Sequence, residues 1–145
     1  MYLVDVNVLV GAMRTDAPRH EVMRAALDRL RVGPEPFALC EPVYAGALRI
    51  LTHPKIFRPP TPVSDALRFV QTLRDTPTAV TLAPGARHWS LFTDLVAHTN
   101  ASGNLVADAW LAALALEHGC TMLSDDADFA RFRGLRWERP DDLGS

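Results

Sequence analysis

The chain has 145 residues, 48 % of them hydrophobic and 22 % charged, and a formal net charge of −2. That is enough apolar material for the core of one ordinary domain, and the near-neutral balance excludes a basic surface spread over the whole chain, though a total conceals acids gathered in one pocket with bases around it. Cys40 and Cys120 lie far apart, with neither a Cys-x-x-Cys nor a zinc spacing, so both read as small buried hydrophobes rather than a disulfide or metal site. No apolar run reaches the roughly 18 residues of a membrane helix, and the N-terminus has no leader pattern, so no membrane association and a cytoplasmic protein are expected. Gly144-Ser145 reads as an appended scar behind a single domain of residues 1–143.

The opening MYLVDVNVLV reads as a strand buried on both faces, placed at Tyr2–Val6, with Asp5 and Asn7 set among valines. TDAPRHEVMRAALDRL carries apolar residues at helical spacing, with Asp16 as N-cap and an end near Gly33-Pro34. A strand at Phe37–Leu39 precedes a helix from Pro42 to about Leu51, stopped before His53-Pro54. Thr61-Pro62 opens a helix through Leu73, Ala79–Leu82 is a strand, and Pro84-Gly85 leads into a helix to about Thr99. NLVADAWLAALALEHG is the clearest helix, with Asn104 as cap and Gly119 as left-handed stop. Strands at Cys120–Ser124 and Leu135–Trp137 close the chain. This alternation predicts an α/β sandwich with a mainly parallel sheet, whose ligands bind at the carboxyl ends of the strands.

Three aspartates stand against the local hydrophobic pattern. Asp5 interrupts the first strand, where an unpaired anion costs on the order of 2–7 kcal/mol or more. Asp108 lies on the inward stripe Leu105, Asp108, Ala109, Ala112, Leu116. In TMLSDDADF a short strand runs straight into Asp125, Asp126 and Asp128. Two carboxylates at 4 Å repel by about 4 kcal/mol at an effective dielectric near 20, so gathering three calls for a cation. An all-oxygen set without His or Cys suits Mg²⁺ or Mn²⁺, and such ions commonly serve phosphodiester hydrolysis. Taken singly, Asp5 and Asp108 also fit satisfied structural acids, and Asp125 and Asp128 fit helix caps or solvated groups. The EF-hand pattern, a glycine-rich phosphate loop, Gly-x-Ser-x-Gly and His-Glu-x-x-His are all missing, and the five histidines lack ligand spacing.

LVDVNVLV, GNLVADAWLAALALEHG and LSDDADFARFRGL, in that order, resemble the motifs of the PIN-domain ribonucleases, and within them of the VapC toxins of type II toxin–antitoxin modules. The resemblance spans nearly the whole chain. It implies a three-layer α/β/α sandwich and a Mg²⁺- or Mn²⁺-dependent endoribonuclease that is homodimeric and neutralised by a small VapB-like antitoxin. Carried over residue by residue, the first acid is Asp5, the helix acid Asp108 and the post-strand acid Asp126, with Asp128 beside it. The family's second acid commonly sits inside the helix after the second strand, where this chain reads PVYAGAL and has Ala45-Gly46. Glu41, about one turn earlier, either replaces that acid or favours the helix N-terminus through its dipole.

Asn7 and Ser124 fit supporting roles, orienting Asp5, Asp126 or a metal-bound water. Of the arginines in ARFRGLRWERP, Arg131 is the best placed to touch RNA, and the others read as surface or antitoxin contacts. Two further functions fit the same residues: a catalytically weak PIN module that binds RNA or its antitoxin, and another metal-dependent phosphoesterase.

Overall fold

The computed structural model describes residues 1–143; Gly144 and Ser145, read above as a scar, lie outside the described residues. Five strands, β1 (Tyr2–Val4), β2 (Phe37–Cys40), β3 (Ala79–Leu82), β4 (Thr121–Leu123) and β5 (Trp137–Glu138), form one sheet in the order β3-β2-β1-β4-β5. All four pairings are parallel. Leu3 sits opposite Ala38 on one side and Met122 on the other, so β1 is the central strand. Six helices flank it: α1 (Val6–Met13), α2 (His20–Val32), α3 (Glu41–Leu51), α4 (Val63–Arg74), α5 (His88–Thr99) and α6 (Asn104–His118). The outcome is the expected three-layer α/β/α sandwich. Leu3, Val4, Phe37, Leu39, Met122 and Leu123 are fully buried at its centre, each contributing about 1.5–3 kcal/mol through burial.

The chain leaves β1 towards β2 on one side, while β4 returns on the other. β1 and β4 therefore frame the point where the strand order reverses, and a crevice opens outside their carboxyl ends. Asp5 follows β1 directly, and Ser124, Asp125 and Asp126 follow β4. Because Val4 pairs with Leu123, the register alone sets Asp5 beside Ser124.

Three sequence expectations change at element boundaries. The apolar opening is not one strand: it ends at Val4, and Val6–Met13 is a helix. Asp5 makes the switch, since its carboxylate accepts a 2.7 Å hydrogen bond from the Val6 N–H as the helix N-cap. Helix α1 is buried on most of its circumference, so its apolar run shows no helical period. Asp16 does not cap α2, which begins at His20 behind Arg19; its carboxylate is taken by Arg14 at 2.7 Å. Asn104 does not cap α6 either; Gly103, with φ of +57°, is the N-cap, and Asn104 is the first helical residue. The stop at Gly119 is as expected, with φ of +69° in the left-handed region that glycine enters without strain. Both cysteines are buried and free.

Candidate functional site

Asp5 is buried at the carboxyl end of β1, and three donors surround it. Besides the Val6 N–H on Oδ1, Ser124 Oγ donates to Oδ2 at 2.6 Å and Asn7 Nδ2 reaches Oδ2 at 3.3 Å. Burial pushes the Asp5 carboxyl above its ordinary value; the Ser124 and Val6 hydrogen bonds pull it back, and the charge of Asp126 raises it again. The Ser124 hydroxyl, itself fully buried, also accepts from Asn7 Nδ2 at 3.1 Å and from the Asp126 N–H at 3.0 Å. Asn7 closes the network by accepting the Asp125 N–H at 3.3 Å. Both residues expected to support the site thus bridge the loop after β1 to the loop after β4.

Asp126 caps the short 3₁₀ turn Ala127–Arg131, accepting the Asp128 N–H at 2.9 Å. Asp108 projects from the first turns of α6 toward the same place. Carboxylate oxygens of Asp108, Asp126 and Asp128 lie within 4.8 Å of one another, with Asp108 and Asp126 half-buried and Asp128 exposed. Asp5 stands outside this tightest set but near enough for its charge to act on Asp108. Partial burial, followed by the charges of Asp126, Asp5 and Asp128 and a hydrogen bond to Asp126, pushes the Asp108 carboxyl up to about 7. The four aspartates form one electrostatic unit.

Glu41 stands apart. It is exposed at the start of α3 and bound to Arg74 at 3.1 Å. At the place where the second family acid was sought stands Gly46, and a Cβ there would come within 2.9 Å of a Val6 methyl. The close approach of α3 to α1 therefore leaves no room for a side chain at Gly46 without a shift in Val6. Arg131 is exposed, with Nη1 3.9 Å from Asp128 Oδ1. Three histidines bond backbone carbonyls rather than the site aspartates: His20 that of Gly11, His88 that of Trp110 and His118 that of Ala83, with His118 also 3.6 Å from Glu117.

Two features were not read from the sequence. Asp125, expected to be a cap or a solvated group, is clamped by Arg19 at 2.9 Å and by Arg139 at 3.2 Å, which fixes the residue before Asp126. Two grooves also meet over the acids, sharing Asp5, Val6 and Ile50: one of about 450 Å³ passes Arg19, and one of about 720 Å³ passes Arg49 and reaches Asp108. Pro42, Gly46, Arg49 and Ile50 recur at helical spacing along one face of α3, and that periodicity was the available signal for the second groove.

A parallel sheet that gathers aspartates at its carboxyl edge defines a class, and residues 2–135 match the family model described as the PIN domain. The chain belongs to the PIN-domain family. Over 140 residues it is 47 % identical to the VapC ribonuclease Mb2897 of Mycobacterium bovis, covering 97 % of this chain and 95 % of that one. It is 43 % identical to ribonuclease VapC25 of Mycobacterium tuberculosis, again over 97 % of this chain and 99 % of the other. Within the family it falls among the VapC ribonucleases. Its fold is shared by VapBC2 from Rickettsia felis, solved bound to a promoter DNA fragment (TM-score 0.71, 16 % identity, 95 % of this chain and 97 % of that one). It is shared too by Mycobacterium tuberculosis VapC20, described as a sarcin–ricin loop cleaving toxin (TM-score 0.66, 17 % identity, 94 % and 99 % covered). Among the described residues, no helix is long and apolar enough to cross a membrane.

Proposed function

We propose that this protein is the endoribonuclease toxin of a toxin–antitoxin pair, hydrolysing RNA phosphodiester bonds with a divalent ion, Mg²⁺ or Mn²⁺, held by Asp108, Asp126, Asp128 and Asp5. One observation carries the reading: oxygens of three aspartates converge within 4.8 Å, an arrangement that is repulsive without a cation and coordinating with one. When bound, such an ion supplies charge for the phosphoryl oxygens and activates water. The protein's own groups do the positioning. Val6, Ser124 and Asn7 hold the Asp5 carboxylate in a single orientation. Ser124 and the Arg19–Asp125–Arg139 clamp fix the loop that presents Asp126. In the free protein the Asp108 carboxyl, pushed up to about 7, holds its proton far more readily than an ordinary aspartate and shares a hydrogen bond with Asp126; that proton has to leave before both become ligands.

The relatives' names support RNA as substrate, and the VapBC complex that shares the fold supports a VapB-like antitoxin as partner; a cytoplasmic site of action belongs to the same proposal. We assign the active unit as a homodimer of one-domain subunits (residues 1–143), with Arg131 beside Asp128 at the edge of the RNA path. The test is cleavage of total RNA by purified protein in Mn²⁺, compared with EDTA and with Asp126→Asn. Cleavage in Mn²⁺ that is lost in both comparisons is the expected result, and cleavage that persists in EDTA would overturn the metal assignment.

A further inference from the structure

Among the cations around the acids, three near the loop after β4 are already engaged. Arg19 binds Asp125 and Asp141, Arg139 binds Asp125, and Arg131 faces Asp128. Arg74, on the far side, is taken by Glu41. Arg49 differs. It is exposed on α3, and its guanidinium has no ion-pair or hydrogen-bond partner among the described residues. It also lines the groove of about 720 Å³ that contains Asp5 and Asp108, whose remaining lining is largely apolar and includes Phe92 and Trp110.

A free guanidinium in a groove that ends on a metal-type acid cluster has one task that matches its chemistry. An anionic chain laid across the acids is repelled by them, and Arg49 offers a bidentate donor for a phosphate at no cost in broken pairs. The aromatic wall adds flat apolar surface for an unstacked base. Gly46, one turn before Arg49, lines the same groove, and its lack of a side chain lets α3 pack closely on Val6, beside Asp5. We infer that Arg49 is a positioning residue that binds a phosphate of single-stranded RNA next to the scissile one, and that this groove, rather than the Arg131 side, carries that flanking nucleotide. The inference rests on the ribonuclease reading above.

The test is equilibrium binding of a fluorescein-labelled single-stranded 12-nucleotide RNA in Ca²⁺, by anisotropy at several salt concentrations, for the wild type, Arg49→Gln, Arg49→Lys and the remote control Arg24→Gln. Arg49→Gln is expected to weaken binding about fivefold or more and to lower the salt slope by about 0.7, with Arg49→Lys between it and wild type and Arg24→Gln unchanged. In Mn²⁺ cleavage assays the same variant should raise KM with little change in kcat, a split that a distorted acid cluster would not produce. Wild-type affinity and slope for Arg49→Gln would overturn the inference while leaving the ribonuclease reading intact. If that variant instead lost only antitoxin association, Arg49 would belong to the protein partner, which also overturns it. No binding and no cleavage by the wild type would overturn the underlying reading and this inference with it.

Discussion

Ser124 Oγ and Asp5 Oδ2 are 2.6 Å apart although 119 residues separate them in sequence. The same hydroxyl accepts hydrogen bonds from Asn7 and from the Asp126 backbone, so a single fully buried oxygen ties the end of β1 to the loop after β4. Replacing Ser124 with Ala removes the strongest donor holding the Asp5 carboxylate charged and frees the Asp126 amide. Mn²⁺ affinity is expected to fall about tenfold, in the range for groups that orient metal ligands, while the fold survives. Titration calorimetry measures it, and unchanged affinity would show that the network does not position the ligands.

Asp108 makes the metal-free protein sensitive to pH in a definite direction. Its carboxyl titrates near 7 in the folded chain and at its ordinary 3.8 in the unfolded one. The unfolded chain gives up that proton first, so stability falls as pH rises from about 4 to about 7 and stays lowered above. Because Asp108 is only half-buried, solvent screening limits the effect to about 1–2 kcal/mol. Asp108→Asn should therefore stabilise the metal-free protein at pH 7.5 by about that amount and leave it unchanged at pH 4. Urea unfolding at the two pH values in EDTA reads this, and equal effects at both would contradict the origin given for the shift.

Glu41 provides a contrasting case. Exposed and bound to Arg74, it has no hydrogen bond or ion pair with the site aspartates among the described residues. Glu41→Gln is expected to keep cleavage within about twofold of wild type and to change stability by less than about 1 kcal/mol, the scale of a surface ion pair. A hundredfold loss in single-turnover cleavage would instead place Glu41 in the metal unit as the replacement for the missing helix acid.

Much of this arrangement was legible in the chain because misplaced charges are conspicuous. Asp108 breaks a helical stripe, and Asp126 and Asp128 follow a strand too short to carry them, so the pattern pointed to both regions. The order of strands and helices followed from turn residues and periodicity, apart from α1. That helix is nearly all apolar, and a run without a period cannot tell strand from buried helix. The caps expected for α2 and α6 failed for a different reason: Arg14 competes for Asp16, and Gly103 reaches a conformation that leaves Asn104 inside α6. Asp125 and Arg49 were illegible because their meaning lies in partners and grooves assembled from distant segments. Nothing near Asp125 in sequence announces Arg19, and nothing near Arg49 announces Asp5 or Trp110.

The central claim is that the converging aspartates hold one divalent ion, and Mn²⁺ titration calorimetry at pH 7 in two buffers of different ionisation enthalpy tests it most directly. The wild type should bind Mn²⁺ with release of a fraction of a proton, supplied by Asp108, and both binding and release should be lost in Asp108→Asn and Asp126→Asn. Mn²⁺ affinity in those two variants equal to that of the wild type would contradict the account.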